Sequence, residues 1–473
     1  MLVNSDTQSS GSAIPIHKPD IVLEPFGQQD STAFQTPFLF CYALPDSADI
    51  DNISQNLRNG LSKLTAAFPW VAGNVINEDR SEGHPGVWKI RTTRSTPDLV
   101  VKDYRDDDGV ADMRRMQSLS FPMSLLDQET FSPLMCHGSP DRIEDRSPVL
   151  VLQVTLIRGG LMLNFSGHHQ ALDGTGQEQL AFLLNKACRG EAFTEDEIRV
   201  GNLSRVDIVE LLPADWQPDP NSIYLQQVKA ASKPAPIGDV PAEIEEPKKP
   251  MRLPWINVVF SSSALQRLKE EAHRGLPSGF VSTDDALTAF IWQSISRARR
   301  KRCAGDTRST IARAVNPRRY LGIPPTYPGY ISNNAYSTFT LDELSDAPLS
   351  TMAALLRAEV DPATSRFGQA TREFATLIDR ATDKNAIAAK VDLDTDILQS
   401  SWANMRCNTF DFGLNLGLPQ AFRRTLHAPV PSLMFFLPRP PNGEIVISMC
   451  LREDDLESLK ADPAVSKLAR FIG

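Results

Sequence analysis

Residues 164 to 174 read NFSGHHQALDG, which sets His168, His169 and Asp173 into one short stretch beside Gly167 and Gly174. An imidazole has its ordinary pKa near neutrality, so a neutral histidine held in a cleft can take the proton of a hydroxyl or amine at cellular pH. Asp173 stands close enough to His169 to orient the loop by hydrogen bonds, and Gly174 permits a tight bend. No Gly-x-Ser-x-Gly elbow and no neighbouring cysteine accompany the pair. The histidine would therefore act on a substrate directly, without an enzyme nucleophile. A second reading makes both histidines satisfied loop residues, with Asp173 capping the helix that follows. A metal site is not expected, because adjacent residues of an extended chain point to opposite sides.

The surrounding pattern supplies the elements that must hold this turn. SPVLVLQVTLIRGGLMLNFSGHH carries two runs of Val, Leu and Ile around the turn residues Arg158 to Gly160, the mark of a β-hairpin. Its second strand ends in the histidines. TGQEQLAFLLNKACRG then places Leu180, Leu183 and Leu184 on one helical face, with Gly190 as a stop. Ile53, Leu57, Leu61 and Leu64 share helical spacing in an earlier segment, which should end before Pro69. From Leu212 to Pro254 the chain is rich in proline and charge and resists regular structure. WINVVFSSSALQRLKEEA reads as strand, serine cap and helix, and Ser282 or Thr283 caps a further helix in TDDALTAFIWQ. PSLMFFLPRP and GEIVISMCL read as paired strands, and DDLESLKADPAVSKLARFI as a closing helix. The expected class is α/β with mixed sheets, divided into residues 1–211, a crossover at 212–254, and residues 255–473.

A chain of 473 residues with 41% hydrophobic and 23% charged residues suits two folded domains. Its formal charge of −9 argues against a nucleic-acid partner. The basic run RARRKR, Arg297 to Arg302, follows a helical pattern, where cations suit the helix C-terminus; a phosphate-binding or targeting role is the other reading. Six scattered cysteines without C-x-x-C spacing point to free thiols in a reducing compartment. The polar N-terminus and the lack of any long apolar run lead to the expectation of a soluble cytoplasmic protein.

Several motifs together resemble the BAHD family of acyl-CoA-dependent acyltransferases. HHQALDG is similar to that family's H-x-x-x-D-G, with His169 and Asp173 in the motif positions. SSWANMRCNTFDFGLNLG resembles its T-S-W and D-F-G-W-G stretches, with Asp411 and Gly413 in the latter. ARAVNPRRYLGIPPTYPGYISNN resembles V-D-x-R…P-P…Y-x-G-N, TDDALTAFIWQ its T-x-x-D-x-L-x-A-x-x-W helix, and AAFPWVAGNV its F-P-x-x-A-G-R segment. The matches follow the family's order across nearly the whole chain, and look closest to the fungal trichothecene 3-O-acetyltransferase branch. Two departures stand out: Leu414 replaces the tryptophan of D-F-G-W-G, and Asn316 stands where aspartate is usual.

The resemblance implies two chloramphenicol-acetyltransferase-like domains with a tunnel between them that reaches His169. Acyl-CoA, most simply acetyl-CoA, would be co-substrate, with no permanently bound cofactor, and a small alcohol or amine would be acceptor. His169 would be the general base. Asp173 would pair with Arg318, unless Arg318 is an ordinary surface arginine. Ser400 and Trp402 are the expected oxyanion donors. Ser261, Ser262, Ser263 and Lys269 are expected to meet the phosphates of coenzyme A at a helix N-terminus, unless they only cap it. Gly174, Asp411 and Gly413 would support the site. The protein is expected to be a monomer. A nonribosomal peptide condensation domain using carrier-protein thioesters, or a non-catalytic binding protein of the same fold, are the alternatives.

Overall fold

The computed structural model describes residues 19–81, 83–92, 94–133, 147–219, 228–230, 252–276 and 279–473. Two mixed sheets carry the fold. The first has five strands in the order Ala421–Arg423, Gln35–Ala43, Gly160–His168, Leu150–Ile157 and Asp98–Asp103. Its centre is the expected hairpin, turned at Arg158 and Gly159, with Gly159 at φ +72° and Gly160 already paired with Ile157. Every residue of both hairpin strands is buried, so their apolar runs are continuous rather than alternating. Helices Ile50–Ala67 and Gly174–Cys188 cover one face through Leu57, Leu61, Leu180 and Leu184. Met116, Phe121 and Phe131 lie on the other. The Ile50–Ala67 helix is capped by the Asp49 carboxylate and stops at Phe68, before Pro69.

The second sheet has seven strands, ordered Asn333–Thr340, Arg308–Val315, Ile397–Ser401, Leu433–Phe436, Ile445–Cys450, Trp255–Phe260 and Ala469–Ile472. Ile256, Val258, Ile311, Ile397, Phe436 and Ile447 pack on one face with helices Ser262–Arg274 and Thr283–Arg299, the latter capped by Ser282. The alternate residues Trp255, Val259, Phe435 and Val446 face the other way and join the core of the first half. The core is thus continuous across the two halves, with Trp402 against Phe38 at 5.1 Å and Phe435 at 5.1 Å.

Three expectations are corrected. The halves are not contiguous in sequence, because Ala421–Arg423, beyond residue 255, pairs with Leu39–Cys41 as an edge strand of the first sheet. The crossover is not wholly irregular: Val228–Ala230 pairs antiparallel with Ile387–Ala389, and Leu212 N–H donates to Thr376. Residues 220–227 and 231–251 of the crossover lie outside the described residues. The closing helix ends at Ala461, since Pro463 disfavours helical geometry in the residue before it. Ala469–Ile472 is instead a strand that pairs with the free side of Trp255–Phe260.

The basic run is absorbed into ion pairs: Arg297 with Asp462, the fully buried Arg299 with Asp455, and Arg302 with Asp455 and Asp394. Cys41, Cys188, Cys303, Cys407 and Cys450 are free thiols, and Cys136 lies outside the described residues. No helix among the described residues is long and apolar enough to cross a membrane.

Candidate active site

Strand Gly160–His168 delivers the histidines to the end of the first sheet. His168 is the last paired residue, opposite Gln35, and is buried in the sheet. His169 N–H donates to the Phe34 carbonyl at 2.8 Å, and the N–H groups of Ala171 and Leu172 both return to the His168 carbonyl at 3.0 Å. The half-buried His169 ring lies 4.7 Å from Phe34 and 5.0 Å from Tyr330, centroid to centroid. Its Nδ1 is 3.1 Å from the Leu172 carbonyl oxygen. A carbonyl only accepts, so Nδ1 carries the proton in the neutral ring and Nε2 holds the lone pair.

Burial drives His169 down, the Leu172 carbonyl opposes this, and the Arg424 charge adds to the fall, to about 4. His168 is pushed down to about 3 by burial and by the neighbouring His169. Both rings are neutral at physiological pH.

Asp173 does two jobs at once. Oδ1 accepts from Gly176 N–H at 2.7 Å and so caps helix Gly174–Cys188. Oδ2 accepts from Arg318 Nη2 at 2.8 Å and from Ile331 N–H at 2.7 Å. Arg318 is no surface arginine: only 1% of its side chain is exposed. Its other N–H groups donate to the carbonyls of Tyr327 and Gly329 and to Asn316 Oδ1. The carboxylate thereby fixes the helix, the histidine loop and the Pro-Pro-Thr-Tyr-Pro-Gly-Tyr loop against each other. Asn316 receives both the backbone N–H and the guanidinium of Arg318, work that an aspartate side chain would do equally well.

Gly174 has no positive φ, so the tight-bend explanation fails. A Cβ there would lie 3.0 Å from Met405 Cε and 3.1 Å from Trp402 Nε1. Its role is close approach: it lets the end of strand Ile397–Ser401 reach the start of the motif helix. Trp402 Nε1 donates to Ser400 Oγ at 3.1 Å, so its N–H orients the serine, and the Ser400 hydroxyl proton is the one this pair can offer to an oxyanion. The buried Arg424 guanidinium lies 5.0 Å from the Trp402 ring and 4.2 Å from that of Phe435.

The remaining candidates lie elsewhere. Asp411 and Gly413 sit at the far end of the motif helix: Asp411 pairs with Arg189, Phe412 N–H donates to Asn185, and Gly413 abuts the Cys188 carbonyl. Ser261 Oγ accepts from Ala264 N–H at 3.2 Å as the cap of helix Ser262–Arg274, and Ser261, Ser262 and Ser263 are exposed. The Lys269 ammonium stands 5.3 Å from the Phe280 ring. Strand register puts Ser400, Phe435, Ser448 and Asn257 in one row, with Ser261 four residues beyond Asn257. Sheet spacings then place the serine cap roughly 15–20 Å from Ser400, at the same end of the sheet.

Sequence reasoning missed Phe34, Tyr330 and Arg424 around the ring. Tyr330 belongs to a motif already recognised, whereas Phe34 and Arg424 carry no local signal. It also missed the buried carboxylate Glu24, whose setting between Leu23 and Pro25-Phe26 was a clue.

These features are those of an acyl-transfer fold with a histidine at the junction of its halves. The chain belongs to the BAHD transferase family: the transferase family pattern matches residues 112–465, and that of the trichothecene 3-O-acetyltransferase-like N-terminal domain matches residues 34–188. It is an O-acyltransferase of the acyl-CoA-dependent class. It is 39% identical to the O-acetyltransferase dmxR13 of Cryptosporiopsis sp., over 98% of this chain and 100% of that one. It is also 39% identical to the trichothecene 3-O-acetyltransferase TRI101 of Fusarium sporotrichioides, over 96% and 97%. The crystal structure of that enzyme complexed with coenzyme A and T-2 superposes with a TM-score of 0.88, covering 96% of this chain and all of that one.

Proposed function

We propose that this protein moves an acetyl group from acetyl-CoA to a hydroxyl of a small fungal secondary metabolite, with His169 as general base. The observation that supports the reading is the Nδ1–Leu172 contact at 3.1 Å, which leaves Nε2 as the ring's proton acceptor. Nε2 takes the hydroxyl proton as the oxygen attacks the thioester carbonyl. The Ser400 hydroxyl, steadied by Trp402, donates to the oxyanion, and the buried Arg424 charge adds favourable potential. The imidazolium then protonates the departing thiolate. The pantetheine arm of coenzyme A spans the gap between this centre and its phosphates, which rest near Ser261, Ser262, Ser263 and Lys269. The names of the relatives support the donor and the O-acetyl product.

The test is thiol release from acetyl-CoA with a panel of alcohols. His169→Ala should lower turnover by about 10²–10⁴-fold, the usual weight of a general base, while the folded fraction is unchanged. Turnover near that of the unaltered protein would refute the base. The acid limb of kcat/KM sharpens this. A base depressed to about 4 keeps its lone pair above that value, so activity should persist as pH falls through the usual imidazole range and be lost near 4. Stability runs the same way. The unfolded chain protonates its histidines near their ordinary pKa while the folded one refuses, so stability is full above that value and declines as pH falls below it. Brief assays with a folding control separate the two losses.

A further inference from the structure

The histidine loop is held from two sides: the Asp173–Arg318 pair is one, and on the second side neither Arg205 nor Glu24 belongs to a motif. On that second side Arg205 Nη1 donates to the Ala171 carbonyl at 3.0 Å and to Glu24 Oε1 at 2.9 Å. Glu24 is fully buried and Arg205 is 4% exposed. The Arg205 guanidinium lies 4.6 Å over the Trp70 ring, whose own N–H is fixed by the Gly201 carbonyl at 3.0 Å. Tyr327 joins the two sides. Its hydroxyl donates to Glu24 Oε1 at 2.5 Å, and its carbonyl accepts from Arg318 Nε at 3.0 Å. The path Ala171, Arg205, Glu24, Tyr327, Arg318, Asp173 therefore starts and ends on the loop. The residue spanned is Leu172, whose carbonyl holds His169 Nδ1.

We propose that Arg205, with Glu24 and the Tyr327 hydroxyl, is a positioning group for the acyl-transfer base, acting through the Ala171–Leu172 backbone on the tautomer and aim of His169. The inference rests on the reading of His169 as base. Its physical ground is the choice of partner. A buried ion pair is a weak source of net stability, since desolvation offsets its attraction, but a charged guanidinium fixes a carbonyl tightly in direction. With Ala171 and Asp173 both clamped, the Leu172 carbonyl cannot rotate away from Nδ1. Nε2 is then left unprotonated toward substrate.

Arg205→Lys and Tyr327→Phe in the full chain test this. Lysine keeps a charge for Glu24 but has no planar guanidinium to lie over the Trp70 ring and hold one nitrogen between the carboxylate and the Ala171 carbonyl. Tyr327→Phe removes only the hydroxyl that closes the ring. In Arg205→Lys, kcat should fall about tenfold or more, as a small misplacement of a reacting group does. KM for acetyl-CoA and acceptor should stay within about twofold, and Tyr327→Phe should show a smaller loss of the same kind. Nitrogen NMR of histidine-labelled protein, with His169 assigned by its loss in His169→Ala, should show one Nδ1–H tautomer in the unaltered protein and a mixture in the variants. Folded variants with unchanged kcat and tautomer, or with only a raised KM, overturn the proposal; if Arg205→Lys does not fold, Tyr327→Phe decides it alone. Failure of the base reading has a different signature, namely an active His169→Ala.

Discussion

The two ends of helix Gly174–Cys188 carry the two strongest motifs of the chain, about 21 Å apart along the helix axis. Each end is tied down by an aspartate and an arginine. At the N-terminus Asp173 and Arg318 are 6% and 1% exposed by side chain, and the pair fixes the histidine loop. At the C-terminus Arg189 and Asp411 are 45% and 28% exposed, and the pair ties the Asp-Phe-Gly turn to the helix end. The same two residue types do different work because one pair is out of water and the other is in it. Leu414, which stands in place of the usual tryptophan, is buried in the same core as Phe412, next to the turn at the helix end remote from His169.

Breaking the buried pair should give the larger effect. Arg318→Ala leaves Asp173 without its partner and strips donors from the carbonyls of Tyr327 and Gly329, which should destabilise the fold by about 3–5 kcal/mol. Turnover of the remaining folded enzyme should also fall, because the Tyr327–Gly329 stretch that leads into Tyr330 loses the donors that anchor it. A double-mutant cycle with Asp173→Asn, read by denaturant unfolding and by kcat, should show strongly non-additive losses. Strictly additive losses would mean that the two side chains act separately, and the contrast between the two helix ends would collapse.

What could be read from the sequence follows the same division between local and distant causes. The hairpin, the capped helices and the helix stop before Pro69 were legible because turn residues, caps and apolar spacing act within a few positions. The Asp173–Arg318 pair was legible only through resemblance, since the two residues stand 145 positions apart. Nothing local announces that Ala421–Arg423 leaves its own half to pair with Leu39–Cys41, because a three-residue strand ending in arginine has no periodicity to detect. LARFI at the end of the chain reads equally as helix or strand, and the unpaired side of Trp255–Phe260 decides between them. The depressed His169 pKa was out of reach for a similar reason: Phe34, Tyr330 and Arg424 meet the ring only after folding.

The smaller prediction sharpens the contrast from the other end. Gly413 has φ +60°, and a Cβ built on it would lie 3.0 Å from the Cys188 carbonyl oxygen and 3.3 Å from Asn56 Nδ2. Gly413→Ala therefore meets the left-handed penalty of an L-residue and a tight contact together, which should destabilise the fold by about 1–3 kcal/mol. Relief by turning the peptide would disturb the bonds from Asn56 Nδ2 to the Phe412 and Gly413 carbonyls, so the strain stays between this turn and helix Ile50–Ala67. The histidine loop sits beyond the opposite end of a helix whose interior packs against the sheet, and it has its own anchors in Arg318 and Arg205. Thermal unfolding should shift downward while kcat and both KM values, corrected for folded fraction, stay within about twofold. A variant with unchanged unfolding but reduced kcat would show that the Asp-Phe-Gly turn acts on the base after all, and that the helix between them transmits more than support.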